Sequence, residues 1–174
     1  MLACGSAGRL EIKNTDPNLR MAGGRLFYYG RPFKGTLVEE IPALKEVHRT
    51  PYVEGIEHGV ATVRAFNETL LARREYVAGI KHGLHETWYP DGQRRSYSEF
   101  INGNYSGEAW SWYPDGAPGE FTAYDEQGRP IAAKKWRETG KIYFNYVFHE
   151  NAGIGMPGSK LCDPPPGRTA GRVP

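Results

Sequence analysis

The feature that most constrains the fold of this chain is an aromatic residue that returns every 24 positions. The column contains Tyr28, Tyr52, Tyr76, Phe100, Tyr124 and Phe148. Glycines keep the same step in two further columns, namely Gly55, Gly79 and Gly103, and Gly59, Gly83 and Gly107. Several columns in one register indicate a repeat protein, in which each short unit packs on its neighbours. Because repeat arrays mostly bind other molecules, the pattern favours binding over catalysis.

Each unit has the turn signals of a β-hairpin. Asn102-Gly103 is typical of a tight turn at one end of a strand, and Pro90-Asp91-Gly92 is typical of a turn at the other end. Since both ends of every strand carry such a signal, successive strands run in opposite directions. The sequence therefore predicts an all-β fold, a single elongated antiparallel meander sheet built from 24-residue β-hairpin repeats.

The period divides the chain into three parts. We expect an N-terminal segment over residues 1–24, a repeat domain over 25–149, and an irregular tail rich in Pro and Gly over 150–174. Residues 39–50 look like an insertion within the repeats, and we expect them to form a short helix or a loop over one end. The stretch Asp125-Glu126-Gln127-Gly128 is one residue longer than its counterpart, which predicts a bulge or a wider turn.

Strand alternation sorts the side chains onto two faces. The pattern places Leu84, Glu86 and Trp88 on one face, His85, Thr87 and Tyr89 on the other, and Glu108, Trp110 and Trp112 together one unit later. Trp88, Trp112 and Trp136 keep the 24-residue step, so we expect them to form a ladder along the sheet. A lone hairpin is only marginally stable, so the aromatic columns should mainly bury one unit against the next. The opposite, more polar face is then left for partners.

Composition excludes several function classes. The formal net charge is +2, and no cluster of Lys and Arg forms the stripe that nucleic-acid binding requires. No apolar run approaches the roughly 18 residues that span a bilayer. The aromatic residues, which include 11 Tyr and 4 Trp, and the 22 Gly together favour short strands joined by tight turns. Because Lys and Arg form no such cluster, we expect no nucleic-acid partner.

The two cysteines, Cys4 and Cys162, lie outside the repeats and have no spacing typical of a zinc site. The first residues, Met1-Leu2-Ala3-Cys4, are similar to the end of a bacterial lipoprotein signal, although its charged and apolar regions are missing. Two alternatives stay open. Cys4 is either the lipidated anchor of a periplasmic protein, and its only link to a membrane, or an ordinary cysteine of a cytoplasmic protein. A disulfide between Cys4 and Cys162 also stays open.

The repeat units resemble MORN repeats, and most of all the bacterial MORN-repeat-variant family of antitoxin and immunity-type proteins. The matching stretches are Tyr52-Val53-Glu54-Gly55, Tyr76-Val77-Ala78-Gly79 with Trp88-Tyr89-Pro90-Asp91-Gly92, and Phe100-Ile101-Asn102-Gly103 with Trp112-Tyr113-Pro114-Asp115-Gly116. They cover about residues 50–147. The resemblance implies a partner protein, since relatives often accompany secreted toxins, type VI phospholipase effectors among them.

Residues that suggest catalysis or metal binding have simpler explanations. His82 and His85 are three apart, which places them on opposite faces of a strand, and His82 belongs to a repeat column with His58. No serine sits in a pattern with His and Asp that indicates a nucleophile. We expect no enzyme activity, no metal and no cofactor.

The leading hypothesis is an immunity protein or antitoxin that binds a toxic secreted enzyme, such as a phospholipase effector, in the periplasm. Tight inhibition needs a rigid surface with aromatic and arginine anchors. The candidate contact residues are Trp88, Arg94, Arg95, Tyr97, Trp110 and Trp112. The alternatives are an envelope scaffold that stacks end to end and a protein that binds lipid headgroups.

Overall fold

Strands are the only regular elements in the described part of the chain. The structure, a computed structural model, describes residues 10–149 and 152–155. The strands are β1 Glu11–Lys13, β2 Leu19–Ala22, β3 Arg25–Tyr28, β4 Arg31–Pro32, β5 Gly35–Ile41, β6 Glu46–Val53, β7 Ile56–Glu57, β8 Gly59–Ala65, β9 Leu70–Val77, β10 Ile80–Trp88, β11 Arg94–Ile101, β12 Asn104–Trp112, β13 Pro118–Tyr124, β14 Pro130–Trp136, β15 Ile142–His149 and β16 Ala152–Gly155. The prediction of an all-β fold is confirmed.

One long sheet holds 13 of these strands in the order β1-β5-β6-β8-β9-β10-β11-β12-β13-β14-β15-β16, with β7 paired to β6. From β5 onward each strand pairs antiparallel with its neighbour, as predicted for a meander. Two details differ from the prediction. The edge strand β1 runs parallel to β5, and β2, β3 and β4 form a separate three-stranded sheet.

The small sheet exists because the first unit buries a core against the end of the long sheet. Leu26, Phe33 and Tyr52 form a buried cluster in which Phe33 is only 1% exposed. The Leu26 N–H donates to the Gly55 carbonyl at 2.8 Å, and the Gly55 N–H donates to the Phe33 carbonyl at 2.8 Å. Burial in this cluster, reinforced by Glu57, raises the pKa of Tyr52 to about 12. A single-layer sheet offers few such buried sites, so folding back stabilises this end.

Residues 39–50 form neither a helix nor a loop, and the expectation of an insertion there is wrong. They belong to the hairpin of β5 and β6, joined by a turn in which the Leu44 N–H donates to the Ile41 carbonyl at 3.1 Å. Strands β5 and β8 start at Gly35 and Gly59, so this hairpin keeps the 24-residue step. The turn closes through Lys45, whose φ is +56°, instead of a glycine, which is why the sequence did not match its neighbours.

The turn at Asp125 is wider than its counterparts on the same edge, as predicted. The Asp125 N–H donates to the Arg129 carbonyl and the Gly128 N–H donates to the Asp125 carbonyl, each at 2.9 Å. Equivalent turns, such as Asn102-Gly103, have only two central residues. The register also shifts beside this turn, because Ala123 pairs with Ala132 and Tyr124 pairs with Pro130, which leaves Ile131 unpaired 24 residues after the bulge at Gly107 in β12.

The two ends of the chain are only partly described. The N-terminal segment expected over residues 1–24 contains β1 and β2 from residue 11 onward, and the tail expected over 150–174 contains β16. Cys4, Cys162 and the other residues of 1–9 and 156–174 lie outside the described residues. Residues 152–155 of the expected irregular tail are thus a strand, whereas the lipid anchor, the disulfide and the irregular course of residues 156–174 stay predictions.

Candidate partner-binding face

Strand pairing places the candidate tryptophans on one side of the sheet. The pairs Glu86–Tyr97, Tyr97–Trp110 and Trp110–Phe121 continue in one row across β10, β11, β12 and β13. Directly paired residues share a face, and so do residues two apart on a strand. We call this side the tryptophan face; its aromatic residues are Trp88, Tyr97, Trp110, Trp112, Phe121 and Trp136. The alternation predicted for residues 84–89 and 108–112 is confirmed.

The rings on the tryptophan face form a cluster centred on Trp110. Its ring centroid lies 4.5 Å from that of Phe121, 6.1 Å from that of Trp112 and 6.2 Å from that of Trp136. Trp88, Trp112 and Trp136 all lie on this face, as expected for a ladder along the sheet, but residues 24 apart lie two strands, or about 10 Å, apart. The cluster therefore forms through residues on intervening strands, and Phe121 is one that the sequence pattern did not single out.

The candidate aromatic residues of the tryptophan face keep part of their surface exposed. Trp88, Trp110 and Trp112 are all half-buried, as is Tyr97. The Trp110 indole N–H donates to Glu108 Oε2 at 2.9 Å, which fixes the plane of the ring. Rings that are fixed yet accessible lose little conformational entropy on binding a partner, which is the property of an interface anchor.

Arg94 lies beside this cluster and is held by a carboxylate that sequence reasoning missed. Its Nη2 is 3.0 Å from Glu86 Oε1, and its guanidinium carbon is 5.9 Å from the ring centroid of Tyr97. The Nη1 of Arg73 is 3.9 Å from the other oxygen of Glu86. The side chain of Glu86 is 12% exposed, whereas that of Arg94 is 50% exposed. Glu86 thus orients the guanidinium while leaving half of it open to a partner.

Arg95 lies on the opposite side of the sheet, so the six candidate residues do not form one surface. Its guanidinium carbon is 5.7 Å from the ring centroid of Tyr89, which belongs to the other face by the same alternation. The physical reason is a register shift between Thr87 and Trp88, which leaves Arg95 unpaired between the pairs of Arg94 and Ser96. Five candidates, namely Trp88, Arg94, Tyr97, Trp110 and Trp112, therefore share the tryptophan face without Arg95.

The opposite side carries a second aromatic column, and we call it the tyrosine face. Its rings are Tyr76, His85, Phe100, Tyr105 and Tyr124, in contact in that order at centroid distances of 5.5, 4.6, 4.5 and 4.7 Å. Phe100 is buried and Tyr105 is exposed. Since both faces carry aromatic rings, the expectation that one face is aromatic core and the other polar is wrong. A sheet with one layer exposes both sides, so each side needs its own apolar contacts.

Residues 10–149 and 152–155 carry neither a metal-binding cluster nor a membrane-spanning helix. No group of three or more His, Cys, Asp or Glu side chains in these ranges is arranged to hold a metal ion. No helix of these ranges is long and apolar enough to cross a bilayer.

Comparison with known proteins gives no family. No protein-family model and no curated protein matches the chain. Among solved structures, a mutant of S. aureus TarM in complex with fondaparinux, alpha-GlcNAc-glycerol and UDP is 17% identical, with a TM-score of 0.33 over 55% of this chain and 19% of that chain. Another crystal structure of TarM is 19% identical, with a TM-score of 0.31 over 51% of this chain and 18% of that chain. This chain thus matches less than a fifth of TarM, and these TM-scores are too low to indicate a shared fold.

Proposed function

We propose that this chain is a binding protein rather than an enzyme, and that it holds a partner protein against the tryptophan face. The observation that carries the proposal is that the half-buried Trp88, Tyr97, Trp110 and Trp112 share one face of the sheet with the half-exposed Arg94. Trp, Tyr and Arg are the residues that dominate binding energy in protein interfaces. Strands β10–β14 hold them at fixed spacing, so little ordering is needed when a partner binds.

The identity proposed for the partner comes from the resemblance to MORN-repeat variants. We propose that the partner is a secreted toxic enzyme, such as a type VI phospholipase effector, and that this chain neutralises it in the periplasm as an immunity protein. A sheet face that spans several strands suits this role, because covering the entrance of an active site requires area and rigidity more than depth. The mechanism is steric: a partner held on the tryptophan face loses access to its substrate.

The first experiment identifies the partner. The tagged chain is used to capture proteins from the envelope fraction of the source bacterium, and each captured enzyme is purified and assayed with and without the chain. We expect one secreted hydrolase to bind at one-to-one stoichiometry and to lose activity as the chain is added. The absence of any inhibited enzyme among the captured proteins contradicts the immunity role.

The second experiment uses two adjacent arginines as a matched pair. Arg94→Ala removes a guanidinium group from the tryptophan face, whereas Arg95→Ala removes a guanidinium group from the tyrosine face. We expect Arg94→Ala to raise the Kd for the partner by roughly 10- to 30-fold, the effect of about 1.4 to 2 kcal/mol, and Arg95→Ala to leave it within about threefold. Circular dichroism establishes that both variants fold. Equal effects of the two substitutions, or a larger effect of Arg95→Ala, show that the tryptophan face is not the interface.

A further inference from the structure

One groove on the tyrosine face arises from a break in the repeat. In the pairings of β10 with β11, β12 with β13 and β14 with β15, the register skips one residue near the turn, and these residues are Arg95, Gly119 and Tyr143. They lie 24 residues apart and are structurally equivalent. In the first and third of these units, the side chain of the skipped residue contacts the residue that follows the preceding strand. That residue is Tyr89 in the first unit and Arg137 in the third. Arg95 lies over the ring of Tyr89, and the guanidinium carbon of Arg137 is 5.3 Å from the ring centroid of Tyr143.

The middle unit lacks this cover because the equivalent residue is Gly119. A Cβ at Gly119 would lie 3.6 Å from Cε2 of Tyr113, so any side chain there would begin at the edge of the ring. The absence of a side chain opens a cavity of about 520 Å³ whose lining includes Arg95, Tyr113 and Glu120. A second cavity of about 470 Å³ shares Tyr113 and extends toward Tyr143. Together the two cavities form a groove with Tyr113 at its centre.

The ring of Tyr113 is fixed as a platform within this groove. Its hydroxyl donates to the Trp136 carbonyl at 2.7 Å, just as the Tyr89 hydroxyl donates to the Trp112 carbonyl at 2.8 Å. The hydrogen bond holds the ring in place without the covering side chain that the neighbouring units use. A rigid, uncovered aromatic ring is suited to stacking against the flat face of a ligand.

The polar groups around the platform carry both signs of charge and several hydroxyls. Glu120 accepts a hydrogen bond from the Lys135 ammonium at 3.0 Å, which leaves its second carboxylate oxygen available. The hydroxyls of Thr87 and Ser96 are 2.6 Å apart, and the Arg95 guanidinium borders the same cavity. The lining also includes Arg137 and Glu138, so two guanidinium groups and two carboxylates balance, which favours a neutral ligand over a phosphate. The polar lining disfavours a lipid chain. Carboxylate, guanidinium and hydroxyl groups together match a ligand that both donates and accepts several hydrogen bonds.

We propose that the groove over Tyr113 binds a neutral glycan, with one sugar ring stacked on Tyr113. The C–H groups on one face of the sugar pack against the phenol ring, while its hydroxyls donate to Glu120 and accept from Arg95. This site lies on the tyrosine face, opposite the proposed protein interface, so it is a second binding activity and does not depend on the immunity role.

The test is calorimetric titration of the full chain with three neutral oligosaccharides, namely maltohexaose, cellohexaose and chitohexaose. We expect saturable binding of at least one of them, in the micromolar to millimolar range. Tyr113→Ala removes the platform, and Gly119→Arg restores the cover found in the preceding unit. The φ of Gly119 is not in the left-handed region, and its nearest neighbour is the rotatable Ser111 hydroxyl at 3.3 Å, so an arginine is compatible with the fold. Each variant should weaken binding by about tenfold or more, a change of about 1.4 kcal/mol.

The control variant is Tyr29→Ala, which removes a 67% exposed tyrosine ring from the turn between β3 and β4, outside the groove, and should bind the oligosaccharide like the original chain. The proposal is overturned if none of the three oligosaccharides binds at millimolar concentration. Binding that survives both Tyr113→Ala and Gly119→Arg in folded protein also overturns it, because the ligand then sits elsewhere. Preferential binding of AMP or of a phosphocholine detergent over all three sugars assigns the groove to another ligand class and contradicts the proposal.

Discussion

His85 is a single residue that departs from the chemistry of its repeat column. Residues 24 positions away on either side are Ala61 and Ala109, yet His85 is 8% exposed with its ring between Tyr76 and Phe100. Its Nε2–H donates to the Glu75 carbonyl at 2.8 Å. Burial lowers the pKa of the imidazole below its usual 6.5, although the hydrogen bond to Glu75 acts to raise it. The positive charges of Lys81 and Arg74 lower this pKa further.

This depressed pKa predicts a loss of stability in mild acid. Since the folded-state pKa of His85 lies below the unfolded value near 6.5, protons bind the unfolded chain more strongly. The contribution of neutral His85 to the free energy of unfolding is fully present above about pH 6.5. It is lost as the pH falls through the folded-state pKa. Urea unfolding at several pH values should show the free energy of unfolding falling over this window. His85→Ala, which installs the residue of the neighbouring units, should flatten this dependence, whereas His82→Ala should retain it. An unchanged slope in His85→Ala would show that other groups cause the effect.

At the scale of elements, the turns of the long sheet differ in how closely they approach their neighbours. Gly128 and Gly140 have the same φ of +77°, so an alanine at either position is strained equally, by roughly 1–2 kcal/mol. Their surroundings differ. A Cβ at Gly128 would lie 2.9 Å from Cβ of Asn104 in the adjacent hairpin, whereas a Cβ at Gly140 would meet no atom within 4 Å.

This matched pair predicts the stability contributed by turn stacking. Gly140→Ala should lower the free energy of unfolding by the conformational strain alone. Gly128→Ala should lower it by about 1–3 kcal/mol more, because the adjacent hairpin must move to admit the methyl group. Denaturant unfolding of the two variants gives the difference. Equal losses mean that the turn at Asp125 moves away from Asn104 without cost, and that neighbouring turns on this edge are not packed together.

How far the sequence predicts the elements depends on how much of each interaction is local. The turns at Asn102-Gly103 and Pro90-Asp91-Gly92 were predictable, because a positive φ and its residue preference are properties of a few adjacent residues. The hairpin over residues 39–50 was not, since Lys45 adopts a positive φ without a glycine to signal it. The fold-back of β2–β4 depends on burial of Phe33 against Tyr52, a contact between units that no local pattern encodes.

At the scale of the whole molecule, alternation predicted which residues share a face but not which rings touch. Alternation correctly grouped Glu86 with Trp88, and Trp110 with Trp112, since it is a property of any strand. Alternation alone does not place Arg95, because a one-residue register shift reverses the face of a side chain and depends on the pairing of two strands. The groove over Tyr113 likewise depends on Gly119. The equivalence of Gly119 with Arg95 and Tyr143 becomes clear only from the strand pairing of all three units.

The distribution of buried residues predicts that the two ends of the long sheet unfold separately. The cluster of Leu26, Phe33 and Tyr52 lies at the N-terminal end, whereas strands β10–β14 mainly contact their neighbours in a single layer. In arrays of this kind stability is close to a sum of unit terms and nearest-neighbour terms. Phe33→Ala, at a position 1% exposed, should remove about 3–5 kcal/mol from the N-terminal units.

Hydrogen exchange followed by mass spectrometry measures where that loss appears. We expect faster exchange in Phe33→Ala over β3, β5 and β6, which surround the cluster, and much smaller changes over β12–β14, because each unit couples mainly to its neighbours. Val147→Ala is the control, since Val147 is 60% exposed at the other end of the sheet and its truncation should change exchange little anywhere. A uniform acceleration across all strands in Phe33→Ala would mean that the sheet unfolds as one cooperative unit. The tryptophan face would then depend on the N-terminal core for its rigidity, and partner binding should weaken in the same variant.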